Sequence, residues 1–254
     1  MRPDQCRLTL RPRDALESVD LSLVIIREMR GPLFRMSLGI ILPIWLVCCG
    51  LLWVLDGHGG VMFIPLVLGP VIQAPLTVML GHGLFAGDVS ARFAWTRLGE
   101  VLFPWLLVWV VVAASMVLSA VSFFVLWPFL AIALTFSTES VLLERVSGVR
   151  AIHRSTRLGS RAIAHALLGN ALRVVLCLWL WFGMEALGKF VLVTVLQFQS
   201  WYPEHWELTP FGVLGMLVSQ VVWTVVRLML YIDVRTRTEG WDLQVGMLGL
   251  AEKR

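Results

Sequence analysis

The sequence predicts an all-α, polytopic helical membrane protein with about six transmembrane helices plus amphipathic helices on the cytoplasmic side. Three observations carry this. The 254-residue chain is 58% hydrophobic and only 15% charged, against roughly 45–50% and about 25% in soluble domains. A soluble fold of this length could not hide so much apolar surface, because much of any folded surface faces water. The apolar residues fall in runs near the ~20 residues that a helix needs to cross a bilayer. The basic residues sit in patches between alternate runs.

Residues 1–33 form a polar amino-terminal segment, too long and too charged for the leader of a signal peptide, so the first apolar run is expected to stay in the protein. Within it, Asp14 to Arg30 reads as an amphipathic helix. Asp14 is its predicted cap and Glu17 completes a capping box. Leu16, Val19, Leu23 and Ile26 recur at helical spacing. Either this stripe meets a partner or lipid, or it packs beneath the protein's own inner face.

A single membrane domain, 34–231, follows. Its first span is predicted at 34–55, and Asp56-Gly-His-Gly-Gly60 is the turn that ends it. The second, 61–80, carries Pro65, Pro70 and Pro75 and is expected to be bent. Val101 to Thr138 then runs 38 residues without a charge. As one helix it would be about 57 Å long, nearly twice the hydrocarbon thickness, so it must fold back. A turn at Ser119–Ser122 gives spans at 101–120 and 122–143. The fifth is predicted at 166–188, with 189–199 either continuing it or lying at the interface, and the sixth at 211–231. Residues 232–254 read as a charged cytoplasmic tail.

Orientation follows from the 21 basic residues, of which only Lys189 and Lys253 are lysines. Segments 1–35, 83–100, 144–165 and 232–254 hold seven, two, five and four of them, and the turns at 56–60 and 119–122 hold none. The positive-inside rule places the rich segments in the cytoplasm, with both termini inside. Trp201, Tyr202 and Trp206 cluster at the predicted outer interface, and Tyr231 and Trp241 flank the inner one. Trp45, Trp109 and Trp179 lie deeper and read as packing residues. The arginine bias and the 12 tryptophans point to a GC-rich bacterial genome, hence to a bacterial cytoplasmic membrane.

Charges within spans are the first functional candidates in a membrane protein. Glu139, Arg173 and Arg227 lie at similar predicted depth near the inner leaflet, and together with Asp233 form a candidate interhelical ion-pair cluster. Locking helices together is the role they suit better than transport. Arg150, Arg154, Arg157 and Arg161 recur every three or four residues and share about 60° of a helix. They make a basic face for anionic headgroups or a partner, unless they only enforce topology or pair with local carboxylates. Asp233, Arg235, Arg237, Glu239, Trp241 and Asp242 after the last span form a candidate docking motif, or a charged helix end tied to the 144–165 loop. Gly240 is placed to end that helix.

Catalytic patterns are missing. There is no His-Glu-x-x-His, phosphate-binding loop or Gly-x-Ser-x-Gly, and His58 and His82 fall on opposite predicted faces. Cys48, Cys49 and Cys177 read as small buried side chains. No cofactor or metal is expected. The basic residues form patches rather than a continuous face, which argues against nucleic acid.

Glu144-Arg145, Ala151-Ile-His-Arg-Ser155 with Leu158, and Tyr231-Ile-Asp-Val-Arg-Thr-Arg-Thr-Glu-Gly-Trp-Asp-Leu243 resemble a group of bacterial membrane proteins similar to the glycerophosphoryl diester phosphodiesterase membrane domain. The resemblance covers roughly residues 140–245. It implies a membrane domain and carries over no catalytic residue, because the phosphodiesterase chemistry of that family belongs to a separate soluble barrel. The reading as a whole is a non-enzymatic scaffold or docking component whose partners are lipid headgroups and other membrane or cytoplasmic proteins. A small-solute or lipid permease is the alternative.

Overall fold

The computed structural model describes residues 14–86, 90–122, 125–198 and 207–240. These are helical almost throughout, with no strand among them. Ten α-helices follow in order. They are α1 (Ala15–Glu28), α2 (Arg30–Val54), α3 (Phe63–Ala86), α4 (Ala91–Glu100), α5 (Leu102–Val121), α6 (Trp127–Leu134), α7 (Ser137–Glu144), α8 (Gly148–Arg161), α9 (Ile163–Lys189) and α10 (Pro210–Glu239). A short 3₁₀ turn, Gly59–Met62, leads into α3, and a π-helical stretch, Phe190–Val195, continues α9.

Among the described residues, five stretches are long and apolar enough to cross a membrane: Arg30–Val54, Gly59–Leu84, Leu102–Ser119, Ile163–Val195 and Pro210–Glu239. The expected span at 122–143 is not among them, because this stretch is two eight-residue helices with a break at Thr135–Phe136. The chain nevertheless folds back after α5, which packs on both α6 and α7. The three prolines do not interrupt α3, which continues to Ala86. Residues 190–195 belong to the fifth stretch rather than to a separate piece. The last helix does not stop at 231. Asp233–Arg237 and Arg235–Glu239 are i, i+4 ion pairs that support one more helical segment. Gly240, at φ 58°, ends it.

Local chemistry explains the other boundaries. Asp56 and Gly57 take positive φ in the turn after α2, and His58 accepts a hydrogen bond from the Gly60 amide. Ser90 caps α4 by accepting from the Phe93 amide. Asp14 stands at the amino end of α1, but its side chain makes no capping bond, so the expected capping box does not form.

The described residues cluster into two compact units. The first takes those within 1–33, 74–171 and 224–254, and the second those within 34–73 and 172–223. In the first, α8 packs on α5, α6 and α7 through small residues. A side chain at Gly148 would meet the Pro104 carbonyl, and one at Gly159 would collide with the Ile132 backbone. In the second, Gly212 and Gly215 of α10 press against Trp181 and the Leu180 carbonyl of α9. The Trp45 indole donates to the Pro210 carbonyl at 2.7 Å. Trp179, by contrast, is 70% exposed and is not the packing residue expected.

Candidate functional site

The break between α6 and α7 organises the polar interior of the first unit. Leaving helical geometry at Phe136 frees backbone groups, which are tolerated in an apolar interior only where neighbours satisfy them. The Phe136 amide donates to the Ser155 hydroxyl of α8 at 3.1 Å. Asn170 of α9 donates to the Thr135 hydroxyl at 2.7 Å and to the Ala166 carbonyl at 2.8 Å. Ser137 and Ser140 return their hydroxyls to the carbonyls of Leu134 and Phe136. Two neighbouring helices therefore hold the break.

The first turn of α7 then presents Glu139, fully buried, to the guanidinium of Arg227 on α10, also buried. This is the ion pair at the heart of the cluster expected from sequence. Asp233 does not join it. Its carboxylate, 4% exposed as a residue, meets His165 of α9 at 3.3 Å and Arg237 at 3.1 Å. Arg173 belongs to the second unit, where it is half-buried on α9.

A larger network lies at the ends of α7 and α10. Arg154 of α8 pairs with Glu144 at the end of α7 and with Glu239 of α10, the latter at 2.8 Å. Arg235 closes the ring, 3.4 Å from Glu144 and 3.1 Å from Glu239. Tyr231 donates its hydroxyl to Glu144, and Arg235 lies 5.8 Å from the tyrosine ring centre. Two carboxylates and two guanidiniums thus alternate and neutralise one another. Burial works against the charge on Arg154, but the carboxylates of Glu144 and Glu239 outweigh it and raise its pKa above the ordinary value. The alternating charges tie α7, α8 and α10 together.

This geometry divides the predicted basic face. Arg154 is turned inward and used up. Arg150, Arg157 and Arg161 are exposed and make no ion pair with another described residue. It also accounts for most of the predicted docking motif, since Asp233, Arg235, Arg237 and Glu239 all pair within the first unit. Trp241 and Asp242 lie outside the described residues, as does the aromatic cluster Trp201, Tyr202 and Trp206.

Sequence reasoning missed Glu144, Tyr231, His165, Ser155 and Asn170. A signal for one of them, Tyr231, was present. Arg227, Tyr231, Arg235 and Glu239 recur every four residues, which puts them on one face if the helix runs past 231. It also missed a polar contact in the second unit. Gln73 of α3 donates to Gln220 of α10 at 2.7 Å, both 1% exposed, and Gly69 leaves room for the Gln220 side chain.

Among the described residues no group of three or more His, Cys, Asp or Glu side chains is arranged to hold a metal ion. No family model, characterised protein or solved structure matches the chain.

Proposed function

We propose that this chain is a non-enzymatic integral protein of a bacterial cytoplasmic membrane that docks other membrane or cytoplasmic proteins, and anionic headgroups, at the inner face. The observation that carries the reading is the division of labour on α8. Arg154 anchors the helix to α7 and α10, while Arg150, Arg157 and Arg161 stay exposed without an ion-pair partner among the described residues. A basic helix fixed by one arginine and presenting three is suited to hold an anionic surface, each exposed arginine adding about 1 kcal/mol near one. The resemblance noted at residues 140–245 agrees in kind, since it implies a membrane domain without catalytic residues.

In this reading both termini are cytoplasmic. The chain crosses six times, the α6–α7 pair making one crossing as a broken helix whose free amide is taken by Ser155. The test is recovery of a stoichiometric partner in mild detergent. The triple variant Arg150→Gln, Arg157→Gln, Arg161→Gln is expected to fold normally and lose the partner. Full recovery by the triple variant would remove the basis of the proposal.

One observation favours a second reading, a small-solute or lipid permease. The buried Gln73–Gln220 pair sits about half-way along α3 and about a third of the way along α10, away from the helix ends, as polar groups in transporters tend to. Substrate-dependent flux in proteoliposomes that falls in Gln73→Leu would select it.

A further inference from the structure

The amino-terminal helix α1 has three faces of different character. Ser18, Ser22, Ile25 and Met29 are buried, and at 100° per residue they share about 60° of the helix. Leu16, Val19, Leu23 and Ile26 occupy a second sector of about 80°, with Leu16 65% and Leu23 55% exposed. Glu17, Asp20, Arg27 and Glu28 fall in a third, of about 100°, together with Val24. The sector centres are roughly 110–140° apart. The protein buries only the first completely; along the apolar stripe legible in the sequence, Val19 and Ile26 are half-covered at its edge while Leu16 and Leu23 stand outside.

A helix covered by protein on one side needs different surroundings on the other two, one apolar and one aqueous. The boundary of a bilayer offers both. The two ends of α1 fix its level. At one end Asp14 lies 3.9 Å from Arg237, in the last turn of α10. At the other, Met29 alone separates α1 from α2, the first stretch able to cross a membrane. In a chain whose termini share one side, the start of α2 and the end of α10 lie at the same surface. The 14 residues between them, about 21 Å of helix, run along it. Arg27 and Arg30, both exposed, mark the junction with cations suited to anionic headgroups.

We infer that α1 is an interfacial helix lying in the plane of the inner membrane surface, its Leu16–Val19–Leu23–Ile26 flank sunk into the lipid and its Asp20–Arg27–Glu28 flank in water. The inference deepens the proposed inner-face role and rests on the chain being membrane-embedded.

Full-length protein lacking its native cysteines, carrying one bimane-labelled cysteine at Leu16, Leu23 or Glu28, is reconstituted into vesicles of phosphatidylethanolamine and phosphatidylglycerol. All three positions are exposed, so labels are accommodated. Acyl-brominated lipid is expected to quench the labels at 16 and 23 at least about twofold more than the label at 28, since the apolar face of such helices sinks about 5–10 Å below the headgroups. Iodide is expected to show the reverse order. Equal iodide quenching at all three positions, or shielding of all three from both quenchers, overturns the inference. A label at the exposed Trp179 of α9 separates the two ideas. If brominated lipid quenches it while 16 and 23 stay aqueous, only the placement of α1 fails. If it too is aqueous, the membrane reading fails.

Discussion

The most apolar windows of α5 and α10 have similar mean hydropathy, yet 83% of that of α10 is buried in the protein and only 17% of that of α5. What separates them is their polar side chains. Besides the indoles of Trp105 and Trp109, the polar side chains of α5 are two serines, Ser115 and Ser119, which bond back to its own carbonyls. α10 carries Gln220, Arg227, Tyr231 and Asp233, and each finds a partner on another helix. Hydropathy therefore selects helices fit for lipid, and the polar residues decide which of them goes to the centre. An unpaired charge or amide in an apolar medium is costly, so the helix that bears such groups must be surrounded by others that answer them.

The comparison breaks first at Arg227. Replacing it with Leu leaves Glu139 buried without its partner and is expected to cost about 3–5 kcal/mol, read as lost thermal stability in detergent. The double variant Glu139→Leu, Arg227→Leu is expected to recover most of that loss. If the single variant is as stable as the parent, the pair does not hold α7 to α10.

The helix break comes next. Ser155→Ala strands the Phe136 amide, and about 1–3 kcal/mol of destabilisation is expected for a buried donor left unsatisfied. A smaller effect, about 1 kcal/mol, is expected for Gln220→Leu, because interhelical hydrogen bonds within membranes contribute modestly. At the bottom of the scale, Val110→Ala and Val117→Ala on the exposed face of α5 are expected to stay within about 0.5 kcal/mol of the parent. A loss at α5 equal to that at Gln220 would remove the distinction between the two helices.

Much of the architecture was legible because bilayer thickness imposes a length on apolar runs and arginine spacing reports helical faces. The Glu139–Arg227 contact was legible for the same reason, since charges this deep need partners. The break at Thr135–Phe136 was not, because a run of apolar residues gives no sign that two helices share it. The hydroxyl and amide that make the break tolerable stand 19 and 35 residues further along the chain. The inward turn of Arg154 was hidden too. Its four-residue rhythm matches Arg150, Arg157 and Arg161, and only the nearness of Glu144 and Glu239 singles it out. The direction of the α1 stripe stayed open between lipid or a partner and the protein's own inner face, because serines 18 and 22 do not look like a buried face until the fold covers them.

Whether the α6–α7 pair crosses the bilayer decides the topology on which the functional reading stands. Single cysteines at Ser122, before the pair, and at Arg150, after it, can be probed in intact cells with a membrane-impermeant maleimide. Labelling at 122 with protection at 150 is the expected result. Equal labelling of both from outside would place the basic helix on the wrong face and contradict the account.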